Sequence, residues 1–165
     1  MADEIVLPET ITKEMLQTLF TDAYMDVSTD TDGDIVVKQS YRGYVMPAND
    51  GRWIRLYSLF KSSETATPED KLAFVNKVND ELIILRAYVT DNGGFGFEWY
   101  IPVEGGITKR ALVLATRRFH RMLESAIRAD EGMSEGVNTY AGQLTYKGVA
   151  QSQSREWKPV LDLLG

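Results

Sequence analysis

Three short clusters of turn-forming residues divide the middle of the chain, and they constrain its fold more than any other feature. They lie at residues 30–34, 49–51 and 91–94, and each combines glycine with Asp or Asn. β-Branched and aromatic residues flank the clusters, which is typical of β-hairpins. Because a tight turn joins antiparallel neighbours, the sequence predicts a mostly antiparallel sheet.

The predicted strands differ in the strength of their pattern. The clearest are residues 35–37, 52–60, 85–89 and 95–101, whereas the pattern at 26–29 is weak and Pro47 predicts an early end to the arm at 44–46. Along 52–60 the two faces alternate. One face carries Ile54, Leu56 and Phe60, and the other carries Trp53, Arg55, Tyr57 and Leu59. This alternation predicts a central strand with one buried face and one partly covered face.

Three amphipathic segments predict helices that flank this sheet. Thr12, Thr67 and Thr108 are the expected N-caps, and Pro68 follows Thr67 at the first helical position. The predicted apolar side of the second helix comprises Leu72, Phe74, Val75, Val78 and Leu82. The last helix should end near residues 130–132. The resulting order is α-β-β-β(-β)-α-β-β-α, which defines an α+β fold.

Composition bounds the function classes. The 165 residues include no cysteine and carry a formal charge of −6, which argues against thiolate metal sites and disfavours attraction to nucleic acid. The first ten residues lack the features of a signal peptide, and no apolar run approaches the ~18 residues of a membrane span. We therefore expect a cytoplasmic protein with no membrane association. The expected divisions are an N-terminal extension at 1–10, a domain at 11–130 and a glycine-punctuated C-terminal appendage at 131–165.

Three stretches of the predicted domain carry a family resemblance. They are Thr31–Val37, Phe74–Asn79 and Leu85–Gly93. In the sequence of these stretches and in the order of their elements, residues 11–127 resemble the YbjN family. The usual label of that family, sensory transduction regulator, names no reaction. The resemblance implies a fold similar to that of type III secretion chaperones, with a sheet flanked by helices and frequent pairing into dimers.

The sequence supplies no recognisable catalytic apparatus. The Asp30–Asp34 cluster resembles a calcium loop, but the twelfth position counted from Ser28 is Gln39 instead of glutamate, so a plain turn is expected. The glycines at 93–96 precede a strand, which argues against a dinucleotide site. His120 with Glu124 one turn later supplies too few metal ligands. We therefore expect no enzyme activity, no catalytic residue, no metal and no cofactor.

Arginines at helical spacing form the sharpest pattern. Arg110, Arg117, Arg121 and Arg128 follow one another at steps of seven, four and seven residues, which places them along one line opposite the apolar arc, with Leu114 between them. Such a stripe is most often a solvated face. The alternatives are a contact with an acidic polypeptide or a dimer partner, or with nucleic acid.

Two further groups remain open at this point. The closing segment spaces Trp157, Val160, Leu161 and Leu164 as a short helical anchor, which docks either on its own domain or on a partner. Asn76 and Asn79 lie near the end of the second helix, where side-chain amides usually satisfy backbone groups.

Taken together, these patterns favour a non-enzymatic adaptor or chaperone-like protein that holds another polypeptide of unknown identity. The candidate partner-binding residues are Arg110, Arg117, Arg121, Arg128, Trp157, Leu161 and Leu164. The alternative is a regulator that binds nucleic acid or an anionic ligand through the arginine stripe. A homodimer is a further expectation that the family resemblance brings.

Overall fold

A computed structural model describes residues 4–48 and 50–130 of the chain. The helices are α1 (Lys13–Asp22), α2 (Pro68–Glu81) and α3 (Lys109–Asp130). The strands are β1 (Ile5–Val6), β2 (Asp26–Thr29), β3 (Ile35–Lys38), β4 (Arg42–Ala48), β5 (Trp53–Phe60), β6 (Arg86–Val89), β7 (Phe95–Pro102) and β8 (Ile107–Thr108). This order confirms the α+β fold, including the weakly supported strand at residues 26–29.

The main sheet has six strands in the order β2-β3-β4-β5-β7-β6, and every neighbouring pair is antiparallel. β5 lies between β4 and β7 and pairs with β7 along its whole length, from Trp53 opposite Pro102 to Phe60 opposite Phe95. The central position predicted for β5 is therefore confirmed. Each of the three turn clusters joins two strands that are neighbours in the sheet.

The early strand end predicted from Pro47 is wrong. β4 continues through Pro47 to Ala48, and Pro47 lies opposite Ile54 of β5. The pairing of β3 with β4 ends at Ile35 opposite Val45, so β4 is an edge at Pro47 on its β3 side. A proline, which lacks the backbone N–H, is tolerated where no neighbouring strand accepts a hydrogen bond.

A second, two-stranded sheet ties the start of the chain to α3, a feature that the sequence did not reveal. β1 pairs with β8, which immediately precedes α3. The side chain of Lys109 also contacts the carboxylate of Glu4 at 2.7 Å. The segment that the sequence suggested as an extension thus contributes a strand.

The caps predicted for the three helices are confirmed. The hydroxyl oxygens of Thr12, Thr67 and Thr108 accept hydrogen bonds from backbone N–H groups three residues later. Asp70 also accepts a hydrogen bond from the backbone N–H of Thr67, which completes a capping box. In α2, however, the predicted burial of Leu72 is wrong, because that side chain is 55% exposed.

All three helices pack on the same face of the main sheet. Their buried side chains and those of one sheet face form a single apolar core. It includes Leu16 and Phe20 of α1, Phe74 and Val78 of α2, Leu112, Phe119 and Leu123 of α3, and Ile35, Val45, Ile54, Leu56 and Phe97 of the sheet. Fully burying a Leu or Phe stabilises a fold by about 1.5–3 kcal/mol before entropy is counted. This layer therefore supplies most of the driving force.

The opposite side of the sheet, here called the distal face, has an apolar cluster of its own. It consists of Val36 of β3, Tyr44 of β4, and Tyr57 and Leu59 of β5, with Met46 packed beside them. The rings of Tyr44 and Tyr57 stack with centroids 4.9 Å apart. The sequence predicted partial cover for Tyr57 and Leu59, but both are buried.

The two edges of the main sheet are built differently. At the β6 edge, the side-chain amide of Asn79 donates to the backbone carbonyl of Ala87 at 3.0 Å, and its oxygen accepts from the backbone N–H of Ala87 at 2.8 Å. The backbone role predicted for this amide is confirmed. At the other edge, Asp26, Ser28 and Thr29 of β2 are exposed.

The Asn79 contact generates a stability prediction. Asn79→Ala removes both hydrogen bonds to Ala87, and we expect the free energy of unfolding to fall by about 1–3 kcal/mol. Asn76→Ala, at an exposed position one turn earlier in α2, is the matched control and should change it by less than about 0.5 kcal/mol. Urea denaturation measures both, and equal losses in the two variants would contradict a specific contact at the sheet edge.

Candidate partner-binding surface

The arginine stripe owes its geometry to the amphipathic packing of α3. Thr108 fixes the start of the helix, and the side chains of Leu112, Phe119 and Leu123 hold its apolar side in the core. The opposite side is consequently turned to solvent for the 22 residues of the helix. The helical period thus places the arginines on one side of α3 and the core residues on the opposite side.

The structure places the four predicted arginines together on this solvent side. Arg110, Arg117, Arg121 and Arg128 are all exposed. At 1.5 Å per residue, the line from Arg110 to Arg128 spans about 27 Å. Within residues 4–48 and 50–130, none of the four forms an ion pair with a carboxylate. We call this set, with Leu114 in its midst, the cationic face.

Arg117 differs from the other three because its guanidinium has a structural contact. It donates a hydrogen bond to the backbone carbonyl of Ala23, which caps the C-terminus of α1, at 3.0 Å. A cation at the carbonyl end of a helix also interacts favourably with the helix dipole. Arg117 therefore joins α3 to α1, a role that the spacing alone could not reveal.

Exposed apolar side chains accompany the cations. Leu114 is 46% exposed within the stripe, and Tyr24, which follows Ala23, is 98% exposed with φ at +57°. A tyrosine in the left-handed region is uncommon and is held there by the surrounding structure. Arginine and aromatic side chains are enriched in protein–protein interfaces. The cationic face thus has the composition of a contact surface, whereas its binding role stays a prediction.

His120 lies on the inner side of the same helix and is more buried than the sequence predicted. Its side chain is 2% exposed, and neither ring nitrogen has a hydrogen-bond partner among the described residues. The ring packs on Gly43 of β4, where a Cβ would approach its Cε1 atom to 2.8 Å. The carboxylate of Glu124, one turn later, accepts a hydrogen bond from the hydroxyl of Ser40.

Burial lowers the pKa of His120 to about 4, against the opposing effect of the negative charge of Glu124. The unfolded chain therefore binds this proton more tightly than the folded protein, and folding loses stability as the pH falls from about 6.5 towards 4. His120 consequently makes the protein sensitive to acid.

This gives a pH-dependent prediction. Between pH 7 and pH 4, protonation of His120 in the unfolded state should lower the free energy of unfolding by up to about 3 kcal/mol. His120→Met should remove that part of the decline, and the difference between the two urea-denaturation series isolates it from the titration of carboxylates. Parallel pH profiles for the two proteins would contradict the assignment.

The distal face also has a charged cluster that the sequence pattern did not predict. Glu98 of β7 is 4% exposed, and its carboxylate accepts hydrogen bonds from Arg55 of β5 at 2.7 and 3.0 Å. Arg86 of β6 reaches the other carboxylate oxygen at 3.1 Å. The guanidinium of Arg55 also lies 4.4 Å from the ring centroid of Tyr57. The one available signal was a glutamate between Phe97 and Trp99 in an otherwise apolar strand.

The pKa of Arg55 reflects this balance. Burial lowers it, but Glu98, with Tyr100 and Tyr88 nearby, raises it, and the net shift is upward. Burial also raises the pKa of Tyr88, with a further increase from Glu98. The arginine therefore stays charged, and the carboxylate between two guanidinium groups compensates a buried cation.

The cluster predicts a large asymmetry between two ion pairs. Glu98→Gln leaves the buried Arg55 guanidinium uncompensated, and we expect a loss of about 3–5 kcal/mol in the free energy of unfolding. The control is Glu104→Gln, whose contact with Arg52 at 3.9 Å is exposed on both sides, and it should cost less than about 1 kcal/mol. Similar midpoints in urea for the two variants would refute the difference.

The remaining sequence predictions concern the calcium-like cluster, metal binding, membrane spans and the closing segment. The carboxylate of Asp30 accepts hydrogen bonds from the backbone N–H groups of Asp32 and Asp34, which makes a turn of the calcium-like cluster. Within the described part of the chain, no group of three metal-binding side chains converges. No helix in that part is long and apolar enough to cross a bilayer. Trp157, Val160, Leu161 and Leu164 lie outside the described residues.

Fold and surface together define the chain as a small α+β protein with a six-stranded antiparallel sheet and three helices. A chain of the HopA1–SchA chaperone–effector complex is similar with a TM-score of 0.51 and 14% identity, over 73% of this chain and 93% of that chain. At this identity the likeness concerns the fold alone.

The match to a family model identifies the chain more specifically than the likeness in fold does. The model of the YbjN family, described as "Putative bacterial sensory transduction regulator", matches residues 12–131, and the chain belongs to this family. The crystal structure of E. coli YbjN, described as "a putative transcription regulator", is similar with a TM-score of 0.68 and 11% identity, over 82% of this chain and 99% of that chain.

A short local similarity stands apart from this result. A stretch of 42 residues is 43% identical to alanine dehydrogenase 1 of Staphylococcus aureus. It covers 26% of this chain and 11% of that enzyme. The chain thus spans only a small part of the curated relatives that it matches, and it is the family model that identifies it.

Proposed function

We propose that this protein is a non-enzymatic adaptor that binds another polypeptide through the cationic face of α3. The single observation that carries the proposal is a line of exposed arginines on α3 that have no carboxylate partner among residues 4–48 and 50–130. At 1.5 Å per helical residue this line is about 27 Å long. A partner that supplies the carboxylates is the simplest complement.

The chemistry of the partner follows from the composition of the surface. Arginine binds carboxylates bidentately, and Leu114 and Tyr24 add apolar contact area. The overall charge of −6 opposes the approach of a long polyanion. An acidic polypeptide segment with apolar residues between its carboxylates therefore fits the face better than nucleic acid does.

The fold neighbours support a binding role over a catalytic one. One of them is a chaperone–effector complex, and the family label names regulation. We extend this to a protein without enzyme activity, acting in the cytoplasm. The homodimer implied by the family resemblance stays a prediction.

Charge reversal on the cationic face tests the proposal. Arg110→Glu with Arg121→Glu should lower the capture of partner proteins from a lysate of the source organism at least tenfold in quantitative mass spectrometry. Arg117 is left intact because of its contact with Ala23. The matched control is Arg52→Glu with Lys61→Glu, which changes the net charge equally at exposed positions outside α3.

Nuclease treatment of the same samples distinguishes a protein partner from a nucleic-acid partner. Capture that survives nuclease treatment and is retained by the control variant supports the adaptor. Nuclease-sensitive capture, with a steep decrease between 50 and 200 mM salt, would favour the alternative regulator that binds nucleic acid. Partner proteins captured equally by wild type and by the Arg110 and Arg121 variant would refute the cationic face as the binding site.

A further inference from the structure

The distal face has buried apolar side chains but no described layer above them. Val36, Tyr44, Tyr57 and Leu59 are 5%, 3%, 0% and 6% exposed. Every helix side chain in the apolar clusters belongs to the core on the other face, and the distal cluster contains strand residues only. The described helices therefore do not account for its burial.

Side chains of the distal face cover one another in part. Arg55 covers part of the Tyr57 ring, and Tyr44 stacks on its other part. The ring of Tyr88 lies over Gly96, the residue opposite Leu59. Since a sheet face with apolar residues normally packs against a second layer, burial to this degree points to cover by one more chain segment.

The chain has such a segment beyond α3. Residues 131–165 follow the helix directly and comprise 35 residues. Near its end, α3 contacts the β3–β4 turn, where the Ser40 hydroxyl donates to Glu124. Val36 and Tyr44 each lie four residues from Ser40, or about 13 Å along a strand. Because an extended chain covers up to about 3.3 Å per residue, 35 residues reach the distal face with ample length to spare.

The composition of the segment matches the surface. Trp157, Val160, Leu161 and Leu164 recur at steps of three, one and three residues, which gives one apolar side in a helical conformation. Together they can supply the missing layer. A tethered segment also has an effective concentration in the millimolar range, so that it competes well against separate molecules for the same surface.

We propose that residues 131–165 fold back across the distal face and that Trp157, Val160, Leu161 and Leu164 cover Val36, Tyr44, Tyr57 and Leu59. This docking is independent of the proposed function, because the cationic face lies on the solvent side of α3, beyond the other face of the sheet. Its failure therefore leaves the partner-binding role of the arginines untouched.

The absence of cysteine from the chain allows a direct test. Met46 packs beside the distal cluster and is partly buried, so Met46→Cys places a thiol at the edge of the proposed interface. In full-length protein, Met46→Cys with Leu161→Cys should be joined within one chain by a short bismaleimide at least tenfold faster than the control pair of Leu114→Cys with Leu161→Cys. Mass spectrometry of the separated monomer and dimer bands measures both rates.

Each result decides the proposal. Faster crosslinking within one chain for the Met46 pair supports it. Equal rates for the two pairs, or a faster reaction of the Leu114 pair, would overturn it, because the segment then has no preference for the distal face. Crosslinked dimers as the main product of the Met46 pair would also overturn it, since a second copy would then supply the cover.

A second measurement does not depend on crosslink geometry. The single Met46→Cys thiol should react with a maleimide at least tenfold faster after Trp157→Asp with Leu161→Asp, which removes the apolar anchor. Leu144→Asp, in the same segment but outside the anchor, is the matched control and should leave the rate within twofold. Circular dichroism confirms that the variants are folded, and equal reactivity in all three proteins would refute the docking.

Discussion

Everything in this structure depends on the packing of three helices against one face of an antiparallel sheet. The period of two along β5 directs Ile54 and Leu56 into that layer and sends Arg55 and Tyr57 to the other side. A single choice of face thus determines which side of α3 meets solvent. It also leaves the sheet with a second face that has an apolar cluster of its own.

Local signals in the sequence were sufficient for the helices and hairpins. The caps at Thr12 and Thr67 and the turn at Gly93 depend on residues that are close in sequence. The structure has the caps and the turn at the predicted positions. The line of arginines on α3 was equally readable, because a helical period needs no knowledge of the partner element. What the sequence left open was whether these arginines bind anything.

Features that depend on distant contacts were not readable. The burial of His120 on α3 depends on its packing against a glycine of β4, and the charge of Glu98 is compensated from two further strands. Pro47 was misread because its tolerance depends on where β3 stops. In each case the missing information was which residue lies opposite, and that is set by the register of the sheet.

The two surfaces described above divide the molecule by chemistry. The cationic face offers exposed charge, for which affinity depends on ionic strength. The distal face combines stacked tyrosines with a compensated ion pair, which favours a tight and water-excluding contact. The two faces therefore differ in the kind of contact that their side chains favour.

The unlike edges of the main sheet have a consequence for self-association. At β6, Asn79 occupies the backbone groups of Ala87 that a further strand would need. At β2, antiparallel pairing of two copies about Ser28 would set Asp26 of each molecule against Asp30 of the other, so that carboxylates repel across the junction. Edge-to-edge joining of sheets into polymers is thus disfavoured at both edges of the main sheet.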